Sequence, residues 1–337
     1  MDKASEKVSE TETALVAIGR FLEASGYAFT AITPASHALV NARVRMENGG
    51  KARSLRDIFG WSLPFSADAL PSHLLAWLEK SGELEKLENA GGFASGLGRL
   101  RSKIRFSTLK GCLYVHSAFP TVEADSVFFG PDTYRFADLI DRVLSDHIGR
   151  LGHPGGPVRR VLDIGCGSGA GGLFLAGNRL CQTARVFLSD INFRALRYAR
   201  VNALLGRKGN VSVLLGDTVR AFKGQMDLIV SNPPYLVDAE ARLYRDGGGA
   251  SGCDLSIRIV RESIPLLAPA GQLILYTGTP VMEGRHVFRE AVAPILDASG
   301  LAYEYAEIDP DVFGEELAHP AYASTERLAA VSLVLRR

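Results

Sequence analysis

Cysteine is scarce in this chain, and what there is carries no obvious chemistry. The four thiols among 337 residues, Cys112, Cys166, Cys181 and Cys253, form no CxxC pair, which argues against a structural zinc site. So few scattered thiols suit a reducing compartment. The seven histidines show no metal-ligand spacing, so no metal is expected. No apolar run approaches the ~20 residues that a bilayer-spanning helix needs. The charged, acidic start, Met1–Glu10, is unlike a signal or transit peptide. The expected location is the cytoplasm, with no membrane partner. An excess of one charge sign is missing too. The net charge is +1, so no global field draws in nucleic acid. Internal repeats and low-complexity tracts are also lacking.

What is present reads as two domains, the expected number for this length. Residues 1–120 hold 15 basic and 12 acidic side chains, only a mild excess. Leu15, Ile18, Phe21 and Leu22 line one face of a helix over Thr11–Ser25. Residues 34–57 are mixed and basic. A second helix is predicted over Ser66–Ser81, capped by Ser66 and closed near Gly82. Gly91–Gly98 is a glycine-rich break. Arg101, Lys103 and Arg105 then alternate with Ser102, Ile104 and Phe106, and Cys112–His116 is a further strand. Helices followed by a short hairpin suggest a small mixed helical and β domain, which is expected to select the substrate.

From residue 121 the pattern becomes regular. Strands at Val158–Ile164, Arg185–Ser189, Val211–Leu215, Leu228–Ser231 and Gln272–Tyr276 alternate with helices at Gly171–Ala176, Asn192–Leu205 and Leu255–Leu267. This alternation implies an α/β fold with a doubly wound, mostly parallel sheet. Leu301–Ile308 and Ala329–Leu335 add a terminal antiparallel hairpin, which gives a seven-stranded sheet.

The first strand ends in Val161-Leu-Asp-Ile-Gly-Cys-Gly-Ser-Gly169. A strand that ends in small residues lets the next helix aim its backbone N–H groups into the crevice, where they attract polar or anionic cofactor atoms. Side chains at Gly165, Gly167 and Gly169 would block that approach. Gly167, Gly169 and Gly172 also satisfy GxGxxG, and Asp190 lies near the distance expected of a ribose-binding acid, so a dinucleotide reading stays open here. Two acids favour S-adenosylmethionine instead. Asp163 can meet an ammonium group, which a dinucleotide lacks, and Asp217 can accept from an adenine amine. Asp190 and Asn192, at the end of the second strand, complete this side of the cradle.

Asn232-Pro233-Pro234-Tyr235 follows the strand-forming run Met226–Val230. A planar NH2 nitrogen is a poor nucleophile because its lone pair is delocalised. Two acceptors that hold both N–H groups can turn that lone pair toward a methyl carbon. The Asn232 side-chain oxygen and the Pro233 carbonyl are placed to be those acceptors. Pro233 and Pro234 donate no N–H and fix φ, which makes the turn rigid. Tyr235 can stack on a flat substrate group and lie near a sulfonium. Asn232 therefore borders both donor and acceptor. Orientation of this kind lowers a barrier by up to ~7–11 kcal/mol.

Asp163–Gly169 followed by Ser231–Tyr235 resembles the class I methyltransferases of the HemK-type glutamine N5-methyltransferase group and its small-domain relatives. Asp246-Gly-Gly-Gly249 with Gly252, Leu255 and Arg258-Ile259 is similar to the glycine-rich loop after NPPY in the release-factor glutamine enzymes. Gly130-Pro-Asp-Thr-Tyr-Arg-Phe136 resembles an element that packs over the cofactor in the eukaryotic and archaeal relatives. The resemblance covers roughly residues 121–335. It implies that Asp132 and Thr133 are cofactor contacts and that Tyr134 or Phe129 lines the site. The chain departs from the pattern in its first 120 residues and in a long loop, Asp309–Arg327, that carries Glu315, Glu316, His319 and Tyr322.

The expected reaction is methylation of a planar NH2 group. The acceptor is a macromolecule, with a protein glutamine amide favoured over an exocyclic amine of RNA or DNA. A small-molecule acceptor and a non-catalytic binding module are the remaining readings. Arg101, Lys103 and Arg105 on one strand face could contact phosphates, although a solvated edge strand is the plainer reading. Calorimetry separates the cofactors. Binding of S-adenosylmethionine and its demethylated product is expected, and NAD binding with no response to either adenosyl ligand would exclude that reading.

Overall fold

The computed structural model describes residues 8–48, 50–87, 99–151, 158–220 and 222–337. It divides into two compact units, and the division departs from a single cut at residue 120. The first comprises residues 1–122, 127–131 and 200–207, and the second residues 123–126, 132–199 and 208–337. No helix among the described residues is long and apolar enough to cross a membrane.

In the first unit, helix α1 (Glu10–Ala24) opens on a capping box: the Ser9 hydroxyl accepts from the Glu12 N–H while the Glu12 carboxylate accepts from the Ser9 N–H. Its stripe of Leu15, Ile18 and Leu22 is fully buried. The mixed, basic stretch contains two helices, α2 (Pro34–Asn48) and α3 (Leu55–Phe59). The former is only weakly amphipathic, so its periodicity is faint. The helix expected over Ser66–Ser81 is broken. A 3-10 turn covers Ala67–Ala69, Leu70 is extended, and α4 runs only over Ser72–Lys80. Pro71 forces the residue before it out of the α region, and Ser66 makes no capping bond. The break expected at Gly91–Gly98 lies outside the described residues.

The basic strand is also corrected. Strand β2 (Arg99–Ser102) pairs with β1 (Leu84–Leu87), whereas β3 (Ile104–Leu109) pairs with β4 (Cys112–Ser117). The chain changes partner at Lys103, so Arg101, Lys103 and Arg105 do not form one cationic face. Arg105 is only 3% exposed. Its Nε donates to the Ser117 carbonyl, and its Nη1 donates to Nδ1 of the buried His37. Burial, and then the Arg105 charge, push the His37 pKa down to about 4. The neutral ring can therefore accept from the guanidinium while its Nε2–H donates to the Trp61 carbonyl at 3.0 Å.

The second unit holds the doubly wound sheet. Helix α5 (Pro131–Leu151) leads to β5 (Arg160–Ile164), then α6 (Ala170–Gly177), β6 (Arg185–Asp190), α7 (Phe193–Leu205), β7 (Val211–Leu215) and β8 (Met226–Ser231). Helix α8 (Asp254–Ser263), β9 (Leu267–Met282), the two-residue β10 (Arg285–His286), α9 (Val287–Ser299), β11 (Ala302–Asp309) and β12 (Arg327–Arg336) follow. Strand order is β7-β6-β5-β8-β9-β12-β11, with β10 folded back on β9. β5 to β9 are mutually parallel and β12 is antiparallel to both neighbours. The expected seven-stranded sheet with a terminal antiparallel hairpin is therefore present. The helix expected over Leu255–Leu267 stops at Ser263, and a 3-10 turn leads into β9, which is sixteen residues long. Leu162, Ile229, Leu273, Leu275, Val331 and Leu333 form the centre of the core. These strands read as continuous apolar runs because both faces of the sheet are covered.

The last turns of α7 are grouped with the first unit. There Asn202 accepts from the Val115 N–H at 2.8 Å and donates to the Val115 carbonyl at 3.1 Å. The carboxamide thus stands in for a neighbouring strand along the outer edge of β4. Asn202→Ala leaves both buried backbone groups without that partner and is expected to cost about 1–3 kcal/mol of stability, measurable by urea unfolding.

Candidate active site

The order of the sheet strands reverses between β5 and β8, which pair in parallel and end together at Ile164 and Ser231. A crevice opens beyond the carboxyl ends of strands at such a reversal. The Ser231 hydroxyl donates to the Ile164 carbonyl at 2.7 Å, tying the two strand ends. The loops Gly165–Gly169 and Asn232–Tyr235 therefore leave the sheet side by side.

Gly165, Gly167 and Gly169 all have positive φ, at 64°, 53° and 83°, a conformation that favours glycine. A Cβ on Gly165 would meet nothing within 4 Å, so this turn borders open space. Behind it the packing is tight. A Cβ on Gly172 would lie 2.1 Å from Leu188, and one on Gly171 would lie 2.5 Å from the Phe136 ring. These two glycines let α6 settle against the end of β5. Asp163 is 2% exposed and accepts the Gly172 N–H at 2.7 Å. Burial, and to a lesser degree the Asp190 charge, push the Asp163 carboxyl up to about 7 against the pull of that bond. Asp190 accepts from the backbone N–H groups of Gly167 and Asn192 at 2.8 and 2.9 Å, while its burial raises its pKa.

Other candidates are engaged within the protein. The Asn192 carboxamide accepts from the Arg194 N–H and donates to the Asp125 carbonyl, so it caps α7. Asp217 pairs with Arg258 on α8, and its side chain is 48% exposed. Thr133 is buried and Tyr134 half-buried. Phe129, expected to line the site, instead stacks on His116 inside the first unit, with ring centroids 4.9 Å apart. Ile191, which the sequence reading passed over, is 50% exposed beside Asp190. An apolar residue directly after a strand-end acid was the available signal.

The Asn232–Tyr235 turn is clamped through glycines. A Cβ on Gly247 would lie 2.7 Å from the Tyr235 Cα, and one on Gly252 would lie 2.4 Å from the Tyr235 carbonyl. On the opposite side, a Cβ on Gly278 would lie 2.1 Å from the Tyr235 ring. The ring expected to stack on substrate is therefore buried, and its hydroxyl donates to Asp132 at 2.5 Å. Tyr276 donates to the other Asp132 oxygen at 2.7 Å. Among the described residues, neither the Asn232 carboxamide nor the Pro233 carbonyl makes a hydrogen bond. Of the residues in the long C-terminal loop, Tyr322 accepts from the Val237 N–H, Glu316 pairs with Arg245, and His319 caps a 3-10 turn.

Residues 141–281 match the family model described as the methyltransferase small domain. That match runs from the middle of α5 to near the end of β9 and takes in both loops. The release factor glutamine methyltransferase of Deinococcus radiodurans is 34% identical over 168 residues, 47% of this chain and 55% of the relative. That of Rhodospirillum rubrum is 37% identical over 170 residues, covering 47% of this chain and 49% of the relative. The tRNA1(Val) (adenine(37)-N6)-methyltransferase of Aeromonas hydrophila is 35% identical over 132 residues, covering 37% of this chain and 54% of the relative. The chain spans about half the length of the curated relatives it matches.

Asp163 yields a pH prediction. Its folded pKa of about 7 lies above the ordinary value of 3.8. Between those values the folded state holds more protons than the unfolded one, so this group's contribution to stability falls as pH rises. It is fully present below pH ~4 and lost through pH ~7. Asp163→Asn should therefore melt progressively above the unsubstituted protein between pH 5.5 and 8 in thermal unfolding without ligand.

Proposed function

We propose that this chain methylates a planar NH2 group with S-adenosylmethionine as donor, and that the acceptor is a protein glutamine amide. The observation that carries this reading is the pair of acceptors that make no hydrogen bond among the described residues, the Asn232 carboxamide oxygen and the Pro233 carbonyl, on one proline-fixed turn beside the glycine loop. The glycine loop fits the cofactor in that Gly165 faces open space and two acids, the buried Asp163 and the half-buried Asp190, stand behind it. When bound, S-adenosylmethionine supplies an electrophilic methyl group on a sulfonium. Asp163 would meet its ammonium, Asp190 its ribose hydroxyls and Asp217 its adenine amine, with Ile191 and Thr133 as further contacts, whereas Asp132 is already engaged within the protein. Asn232 and Pro233 would each accept one N–H of the substrate, so that the nitrogen lone pair points away from both. Two N–H groups on one flat nitrogen fit such a pair of acceptors, whereas a hydroxyl would leave one of them unpaired.

The glutamine reading draws its support from the two release-factor relatives. The Aeromonas relative favours the second reading, an exocyclic adenine amine. That substrate would have to be swung out of its stack to reach the turn. Residues 1–120 are proposed to select between such partners. With Arg105 inside the first unit, the basic strand no longer supports RNA. Labelled donor incubated with cell extract and the protein tests the acceptor class. Label released by protease but not by ribonuclease is expected, and the converse would replace glutamine with RNA. Asn232→Ala is expected to lower turnover by about 10²–10³-fold, the scale for removing one orienting hydrogen-bond group. Calorimetric donor affinity should stay within a few-fold, and near-normal turnover would refute the acceptor assignment.

A further inference from the structure

Asp132 is the centre of a network of five side chains, its own included, from four parts of the second unit. It lies in the first turn of α5 and is 6% exposed. One oxygen accepts from Tyr235 in the acceptor turn, at 2.5 Å. The other accepts from Tyr276 on β9 at 2.7 Å and from Arg135 one turn along α5 at 3.1 Å. Arg135 in turn donates to Asp309, at the end of β11, at 2.6 Å. Burial, followed by the Asp132 charge, pushes both tyrosines well above their ordinary range. At neutral pH both are therefore protonated donors. The Arg135 side chain is 33% exposed and Tyr276 is fully buried. The network thus joins the turn to the helix start, a central strand and the C-terminal hairpin.

We propose that Tyr276 and Arg135 are positioning residues that hold the acceptor turn in register through Asp132 and Tyr235. Neither hydrogen-bonds to Asn232 or Pro233. The hold passes along the chain, because Pro233 and Pro234 leave little torsional freedom between Tyr235 and Asn232. The glycine clamp fixes the backbone of Tyr235 from the side, and the hydroxyl bond fixes the far end of its ring. Two oxygens that accept three donors have a defined orientation. Losing one donor lets the carboxylate turn, and the tyrosine turns with it. The inference rests on the reading of Asn232–Tyr235 as the acceptor turn for its functional meaning, although its structural part stands alone.

Hydrogen–deuterium exchange on the full chain tests it, with Tyr276→Phe and, at a half-exposed position that does not threaten folding, Arg135→Gln. The amides of Tyr235, Leu236 and Val237 should exchange at least tenfold faster in both variants, with the amides of β5 and β12 unchanged. Calorimetry with S-adenosylmethionine should give a Kd within about threefold of the unsubstituted protein. Unchanged exchange at residues 235–237 in both variants overturns the proposal. So does faster exchange spread evenly over the sheet, which marks the two residues as general supports of the fold. Failure of the unsubstituted protein to bind S-adenosylmethionine would count against the proposed function, while the exchange data would still decide the network.

Discussion

The parallel pairing of β5 with β8 is the constraint on which the site depends. One strand delivers the glycine turn and the other delivers the Asn232 turn, and only their adjacency makes the two loops neighbours. The order of the sheet reverses at this seam, which is where a crevice opens beyond the strand ends. The hydroxyl of Ser231 on the Ile164 carbonyl fixes the two strand ends against each other just before the loops diverge. Displacement of either strand by one residue would turn its side chains to the opposite face of the sheet, carrying both loops out of place.

Around that seam the chain invests in buried charge. Asp163 and Asp132 are buried and Asp190 is half-buried, yet each is met by different groups. The first two are held by backbone N–H groups of the glycine turn and its flank, which are fixed dipoles. The third is held by two hydroxyls and a guanidinium, which can turn. The glycine-loop side is thus preorganised by backbone and the Asn232-turn side by side chains. A carboxylate whose burial outweighs its hydrogen bonds, as at Asp163, favours any cation that reaches it.

Much of this was legible in the sequence for a definite reason. Strand–helix alternation and glycine-terminated strands are local signals, so Asp163, Gly165–Gly169 and Asn232–Tyr235 declare themselves without knowledge of the fold. The less legible features were those set by distant partners. The alternation of Arg101, Lys103 and Arg105 reads as one strand, but the chain changes partner at Lys103, and Arg105 goes inside to meet His37, 68 residues away in sequence. The aromatic ring of Tyr235 looks like a stacking surface until Gly278 and Asp132 are placed against it. Tyr276 ends an apolar strand and carries no motif. Pro71 was a local signal, and reading Ser66–Ser81 as one helix gave it too little weight. Helix α9 contains Pro294, which obscures its periodicity.

The edge of β4 that Asn202 completes has a practical meaning for how this protein can be taken apart. The residues that finish the first unit lie some eighty positions beyond the point where that unit otherwise ends, on a helix that begins in the second unit. A fragment cut near residue 122 would lack Val201, Asn202 and Leu205, leaving the outer edge of β4 unpaired and Gly19 without the leucine that packs on it. A fragment starting there would carry the buried side chains of Val201 and Leu205 into water. Contiguity in sequence is therefore a poor guide to independence in folding. Trading the N-terminal region between related chains would succeed only if the second half of α7 moved with it.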